Sequence, residues 1–319
     1  MKILVPLNTT EHIKDYIEAG ANEFYLGFYD LDWIKTFGKY VDINRLTGFG
    51  KEANPYSFTE ILNVIEEVKR QWDVSIYITF NSSMYSNQQL EFIEEYFRQL
   101  STTKVDGVIV SCLELVELAN KYGLNSDVST ISGIYNQDIA KVYKQHGVKR
   151  IILPRDLSLA EIEEIVHATC GMEFEVFLMR NGCTYSDSNC LGFHRKELPS
   201  LCSGIRNSTH TIITQDADFK ERHQVAVTNQ LYRSCFHQVT CGLCSIYRFV
   251  SLGIAAGKIV GRSDDWKIIC RDISFVHDNI EIAKKCSNEE EYLSQMKLID
   301  MSTTSCNRGL SCYYPEVRF

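Results

Sequence analysis

Short apolar runs alternate with longer amphipathic stretches along most of this chain, and that alternation restricts the fold more than any other feature. Lys2 to Val5 reads as a buried strand. Thr9 or Thr10 can cap a helix whose apolar face includes Ile13, Ile17 and Ala19; Gly20 ends it, and Glu23 to Gly27 reads as the next strand. Strand, helix, strand is the βαβ unit. The pattern predicts further helices over Ser57–Trp72, Ser86–Leu100, Cys112–Tyr122 and Asn136–His146, and one capped by Ser158 that ends near Thr169. Strands are predicted over Val74–Thr79, Gly107–Val110, Asp127–Ser129, Arg150–Leu153 and Glu173–Phe177. After an interruption, a helix over Ser245–Leu252 and a strand over Ala256–Ile259 bring the strands to eight. Eight βα repeats predict an α/β fold, a (β/α)8 TIM-type barrel, although an open doubly wound sheet gives the same local signals. The barrel is assigned residues 1–263, and residues 264–319 form a C-terminal extension, helical at least from Ser287 to Leu298.

The interruption, residues 179–244, is polar and too long for an ordinary βα connection, so it is read as a functional insertion between strands seven and eight. Six of the chain's 12 cysteines fall there: Cys183, Cys190, Cys202, Cys235, Cys241 and Cys244. The opening Met1-Lys2-Ile3-Leu4-Val5-Pro6 loses its apolar character too soon for a signal peptide. No apolar run approaches the ~18 residues of a membrane span. A cytoplasmic location without a membrane partner is therefore expected, where thiols do not persist as structural disulfides, and clustered cysteines there favour metal ligation. Iron–sulfur clusters and zinc both take thiolates, and Cys241-x-x-Cys244 is compatible with half of a zinc site completed by Cys183 and Cys190 or Cys202. The insert histidines His194, His210, His223 and His237 are read as surface residues, and Cys306 and Cys312 as ordinary thiols.

A net charge of −8 and a pI near 5.6 give no broad electrostatic footprint for nucleic acid, which makes it the less expected partner. A local basic pocket is a different matter. Residues just after barrel strands face the catalytic end, which brings Asn8, Tyr25, Asn81, Ser129, Arg155 and Lys258 to one mouth. Arg155, Lys258, Tyr25 and Asn81 are the candidate substrate-binding residues, the two cations for a carboxylate or phosphate of an anionic substrate, small or macromolecular. For Asn81 and Ser129 packing and hydrogen bonding is the simpler reading. No residue is assigned as catalytic.

The run Glu175-Val-Phe-Leu-Met-Arg-Asn-Gly-Cys183-Thr-Tyr-Ser-Asp-Ser-Asn-Cys190 resembles the signature of the collagenase-like peptidase family U32, in which Glu-x-Phe leads to a cysteine and a second follows seven positions on. Gly20 to Gly27, Ile78 to Asn81, Ser129-Thr130, Gly147 to Ser158 and Lys258-Ile259-Val260-Gly261-Arg262 resemble further family segments in the expected order. The resemblance implies a barrel and, as in many members, a 4Fe–4S cluster, with zinc as the alternative metal. It carries ligand roles to Cys183, Cys190, Cys202 and Cys244, leaving Cys235 and Cys241 as alternative ligands or redox-active neighbours. It also implies oxygen-independent substrate modification, most plainly hydroxylation. A collagenase-like peptidase, or a noncatalytic metal-stabilised barrel that binds a partner protein, are the alternatives. Neither a Gly-x-Ser-x-Gly element nor a His-Glu-x-x-His pair is present to support a hydrolase. The chain has Met179-Arg180 where a His-Gly pair is common, Ile131 where Gln often follows Ser-Thr, and Val260 where Glu is usual.

Overall fold

The computed structural model describes residues 1–183, 186–190, 239–299, 306, 309 and 311–317. Its strands are β1 (Lys2–Pro6), β2 (Glu23–Leu26), β3 (Ser75–Phe80), β4 (Gly107–Val110), β5 (Ser126–Val128), β6 (Arg150–Ile152), β7 (Glu173–Met179) and β8 (Ala256–Ile259). They pair in parallel and in sequence order into a closed barrel, β8 returning to β1 through Lys2↔Ala256 and Leu4↔Lys258. That last pairing excludes the open sheet.

The helices are α1 (Ile13–Ala19), α2 (Leu31–Phe37), α3 (Phe58–Gln71), α4 (Asn87–Leu100), α5 (Leu113–Lys121), α6 (Gln137–Gln145), α7 (Leu159–Ala168), α8 (Ile246–Ser251), α9 (Trp266–Ala283) and α10 (Glu289–Gln295). Reciprocal capping boxes, Ser57 with Glu60, Ser86 with Gln89 and Ser158 with Glu161, start α3, α4 and α7 by satisfying amide donors that the first turn leaves unpaired. Gly20 ends α1 at φ 116°, and a Cβ there would lie 2.6 Å from the His277 ring, so the turn needs glycine both for its backbone and for the approach of α9.

Two of these helices are not foreseen by the periodicity. Asp30 caps the short α2, which buries Trp33. The stretch assigned to a C-terminal extension begins with α9, which packs on α1, α8, β1 and β8 as part of the barrel wall. Its buried stripe is Ile269, Ile273, Val276, Ile280 and Ala283, but Asp272 and Asn279 are buried with it and blur the amphipathic pattern. Both have partners: Asp272 pairs with Arg180, and the Asn279 amide donates to Phe275 O and Lys297 O.

The barrel interior holds an ionic network. Arg150 of β6 is 2% exposed and reaches across to Glu23 of β2, its Nη1 lying 2.6 Å from Glu23 Oε2 and 3.4 Å from Glu175 Oε2 on β7. Lys258 of β8 donates to the other oxygen of Glu175 at 2.9 Å. Asp127 of β5 is fully buried, stands 3.7 Å from Arg150, and neither carboxylate oxygen is hydrogen-bonded. Burial, opposed by Arg150 and reinforced by Glu175 and Glu23, pushes its pKa up to about 8. With Asp127 protonated, Glu23, Glu173 and Glu175 face three cations, Lys2, Arg150 and Lys258, and the charge of the network balances.

The pH dependence follows. Asp127 ionises near 3.8 in the unfolded chain and near 8 in the folded one. Between these values the folded chain keeps a proton that the unfolded chain has released, so this contribution, complete below pH 3.8, is lost as pH rises towards 8. Asp127→Asn copies the protonated acid and removes that slope. In urea unfolding at pH 5 and pH 8 the variant is expected to gain on the parent by about 2–4 kcal/mol over the interval. Parallel pH profiles would contradict a protonated Asp127.

Candidate functional site

Segments following β2, β3, β5, β6, β7 and β8 meet at the C-terminal end of the barrel, and a buried carboxylate joins several of them. Asp187, 0% exposed, accepts from Arg155 Nε at 2.8 Å and from Arg45 Nη1 at 3.1 Å. Complete burial alone would raise its pKa, but Arg155 and Arg45, helped by Thr130, hold the carboxyl well below the usual range. Arg155 Nη1 also donates to Asn181 O at 2.6 Å, and its guanidinium stacks 4.3 Å from the Phe177 ring centroid. Asn81 accepts from the Arg45 amide and donates to Ser129 Oγ, each at 3.3 Å, and so orders the loop that presents Arg45.

The exit from β7 is backbone-strained. Arg180 and Asn181 have φ values of 63° and 50°, each a conformation that costs roughly 1–3 kcal/mol outside glycine. The family resemblance has glycine at the first of these positions. Here Arg180 is held instead by its ion pair with Asp272, by its amide donating to Thr240 O at 2.7 Å, and by the Tyr313 hydroxyl donating to its carbonyl. The tail joins the same corner. Cys241 bridges Met179 on one side and Cys312 on the other, with Cys241 N donating to Ser311 O and Tyr313 N to Cys241 O.

The thiols take distinct positions. Cys190 Sγ lies 3.6 Å from Arg45 Nη2, and Cys183 is within electrostatic reach of Arg155 and Tyr313. Cys241 is buried, its thiol pushed up to about 12 by burial with Cys312, Cys244 and Cys306 adding to the rise. Tyr313 borders both Cys183 and Cys241, whereas Cys244 is buried beside Cys241 and Tyr292. Cys202 and Cys235 lie outside the described residues. Among the described residues no three His, Cys, Asp or Glu side chains stand close enough to hold a single ion. The donors are of the kind a thiolate-bound group takes, with Cys183 and Cys190 beside arginines at the mouth and Cys241 and Cys244 buried, but the described residues do not bring three of them together. The described histidines, His12, His146, His167 and His277, lie on or beside the outer helices.

On the other side of the mouth, the Tyr25 ring lies 4.3 Å from Lys258 Nζ and 6.0 Å from the Arg262 guanidinium, and its hydroxyl donates to Ile259 O at 3.4 Å. Burial raises the Tyr25 pKa, so the phenol stays neutral. Tyr25 and Lys258 thus lie within β2 and β8, Asn81 and Arg155 follow β3 and β6, and both cations are ion-paired. Sequence reasoning missed Arg45, Asp187 and Tyr313. Arg45 lies in a stretch with no assigned element, Asp187 in an insert read only for its cysteines, and Tyr313 in a tail read as irregular.

The profile of peptidase family U32 matches residues 8–317. An uncharacterized protease of Methanocaldococcus jannaschii is 31% identical over 167 residues, which is 52% of this chain and 36% of that protein. The tRNA hydroxylation protein P of Helicobacter pylori is 30% identical over 193 residues, 60% of this chain and 42% of the relative. The tRNA hydroxylation protein P1 of Bacillus subtilis is 23% identical over 327 aligned residues, covering 99% of this chain and 71% of the relative. The match therefore spans less than half the length of the first two of these proteins. A solved U32 peptidase structure superposes with a TM-score of 0.43 at 17% identity, over 70% of this chain and 84% of that one.

Asp187 offers a direct test of how the mouth is held. Asp187→Ala leaves two guanidinium groups facing each other without their shared carboxylate, and urea unfolding at neutral pH is expected to show a loss of about 3–5 kcal/mol. A loss under about 1 kcal/mol, the value of an exposed pair, would mean that Asp187 does not organise the site.

Proposed function

The chain belongs to peptidase family U32, and we propose that it is an iron–sulfur protein acting in oxygen-independent hydroxylation, with a nucleobase in tRNA as the modified group. The observation that carries this reading is the pair Cys183 and Cys190 flanking the Arg45–Asp187–Arg155 bridge at the mouth of the barrel. The relatives named for tRNA hydroxylation supply the reaction and substrate class. Against the net charge of −8, phosphate contacts would be confined to local basic residues.

Cys183, Cys190, Cys202 and Cys244 are the proposed ligands of a 4Fe–4S cluster, with Cys241 as the substitute for Cys244 and zinc as the alternative metal. Such a cluster would supply electron transfer next to the bound ring. The protein's own residues have separate tasks. Arg45 and Arg155 hold positive charge beside Cys190 and Cys183. Asp187 keeps both arginines in place. Arg155, Lys258, Tyr25 and Asn81 are assigned to framing the substrate, with Lys258 paired to Glu175 and Arg155 sharing Asp187 with Arg45.

Protein purified without oxygen is expected to contain iron and acid-labile sulfide. Cys183→Ala, Cys190→Ala and Cys202→Ala should lose most of it, whereas Cys170→Ala, on an exposed thiol, should keep it. Comparing Cys244→Ala with Cys241→Ala identifies the fourth ligand. Nucleosides from tRNA of cells lacking the protein, compared by mass spectrometry with complemented cells, should lack a hydroxylated base. Protein free of iron and sulfide overturns the cluster; unchanged nucleosides overturn the substrate.

A further inference from the structure

Among the described cations at the mouth, Arg262 differs from the rest. Arg45 and Arg155 share Asp187, Lys258 has Glu175 and Arg180 has Asp272. Arg262 follows β8, is 6% exposed, and has no carboxylate partner among the described residues; its hydrogen bond runs from Nη1 to the neutral Asn54 Oδ1 at 2.8 Å. Asp264, two residues on, faces Arg180 and hydrogen-bonds with Asn181 instead. Burial brings the Arg262 pKa down to about 10, a fall that Tyr25 opposes and Arg45 reinforces, so the group still carries its charge at neutral pH. A buried charge without a counter-charge is costly and is seldom kept for packing alone.

The backbone is shaped around this guanidinium. Gly27, just after β2, has no side chain where a Cβ would come within 2.1 Å of both Arg262 Nη1 and Asn54 Oδ1 and 3.1 Å of Asn44 Nδ2. Asn54 is itself fixed by donating to Leu46 O at 3.0 Å, and Asn44 by donating to Phe28 O at 3.3 Å. The Asn54 amide and the missing side chain of Gly27 thus hold the arginine in one place without neutralising it, while the Tyr25 ring backs it. The remaining donors of the fork match the two coplanar oxygens of a carboxylate.

We propose that Arg262, with Asn54 and Tyr25 around it, is a binding subsite for the carboxylate of a small molecule. A phosphodiester is the poorer fit, because its oxygens are flanked on both sides by nucleotides, whereas a terminal carboxylate can reach a group this deeply buried. The thiols are not its counter-charge: Arg45 contacts Cys190, but the groups acting on Arg262 are Tyr25 and Arg45. The subsite rests on these contacts and is independent of whether the thiols hold a metal.

The test uses the full chain prepared without oxygen, titrated calorimetrically with malonate and with benzoate, and with inorganic phosphate and chloride at matched ionic strength. At least one carboxylate is expected to bind, and Arg262→Gln to weaken it at least tenfold. Asn54→Asp places a carboxylate on Arg262 from within, so it is expected to reduce binding tenfold or more even if Arg262→Gln fails to fold. Carboxylates that bind no better than chloride would overturn the proposal, as would phosphate binding alone. Carboxylate binding unchanged in Asn54→Asp would equally place the anion elsewhere.

Discussion

Arg150 lies in the middle of the barrel, and its charge has to be met by groups on strands far apart in sequence. It draws Glu23 from β2 and Glu175 from β7 to one point, with Asp127 beside it, and Glu175 carries the link on to Lys258 of β8. Each partner is available only if its strand is in register. A one-residue slip would turn Glu23 or Glu175 outward and leave a buried guanidinium uncompensated. Barrel closure is therefore coupled to electrostatics inside it, and the strands that carry the network also carry the site. Lys258 belongs to the network through its ammonium and reaches the mouth through the Tyr25 ring.

At the mouth the same logic is applied with shorter segments. Asp187 comes from the insert after β7, Arg45 from the loop after α2 and Arg155 from the segment after β6, and all three are needed for the bridge to be neutralised as far as it is. The tail is part of this construction. Tyr313 and Tyr314 donate to the carbonyls of Arg180 and Phe177, which anchors the last described residues on β7 next to the insert's two ends. The strained turn at Arg180 persists because these contacts and the Asp272 ion pair from α9 hold it from several sides.

How much of this could be read from the sequence varied with the range of the interaction. The strands were legible because their apolar runs are local, and helices such as α3, α4 and α7 because each amphipathic run begins just after a serine. The helix α9 was not, since Asp272 and Asn279 sit in its buried stripe and their partners are remote. Tyr25, Asn81, Arg155 and Lys258 were placed at the mouth by their positions after strands. That, among the described residues, Arg155 and Lys258 are ion-paired while Arg262 is not depends on Asp187 and Glu175, which no spacing rule connects to them.

The sequence by itself determined the order of elements, the number of strands and the end of the barrel where functional groups collect, because backbone propensity and apolar periodicity are properties of neighbouring residues. Closure of the sheet, the balance of charge around Arg150 and the choice of which arginine stays without a carboxylate were decided only by the tertiary structure. Those outcomes depend on distances between groups more than a hundred positions apart, such as Glu23 and Arg150 or Arg45 and Asp187. In a buried, low-dielectric setting an ångström or two separates a satisfied charge from a costly one, and chain order carries no information at that scale.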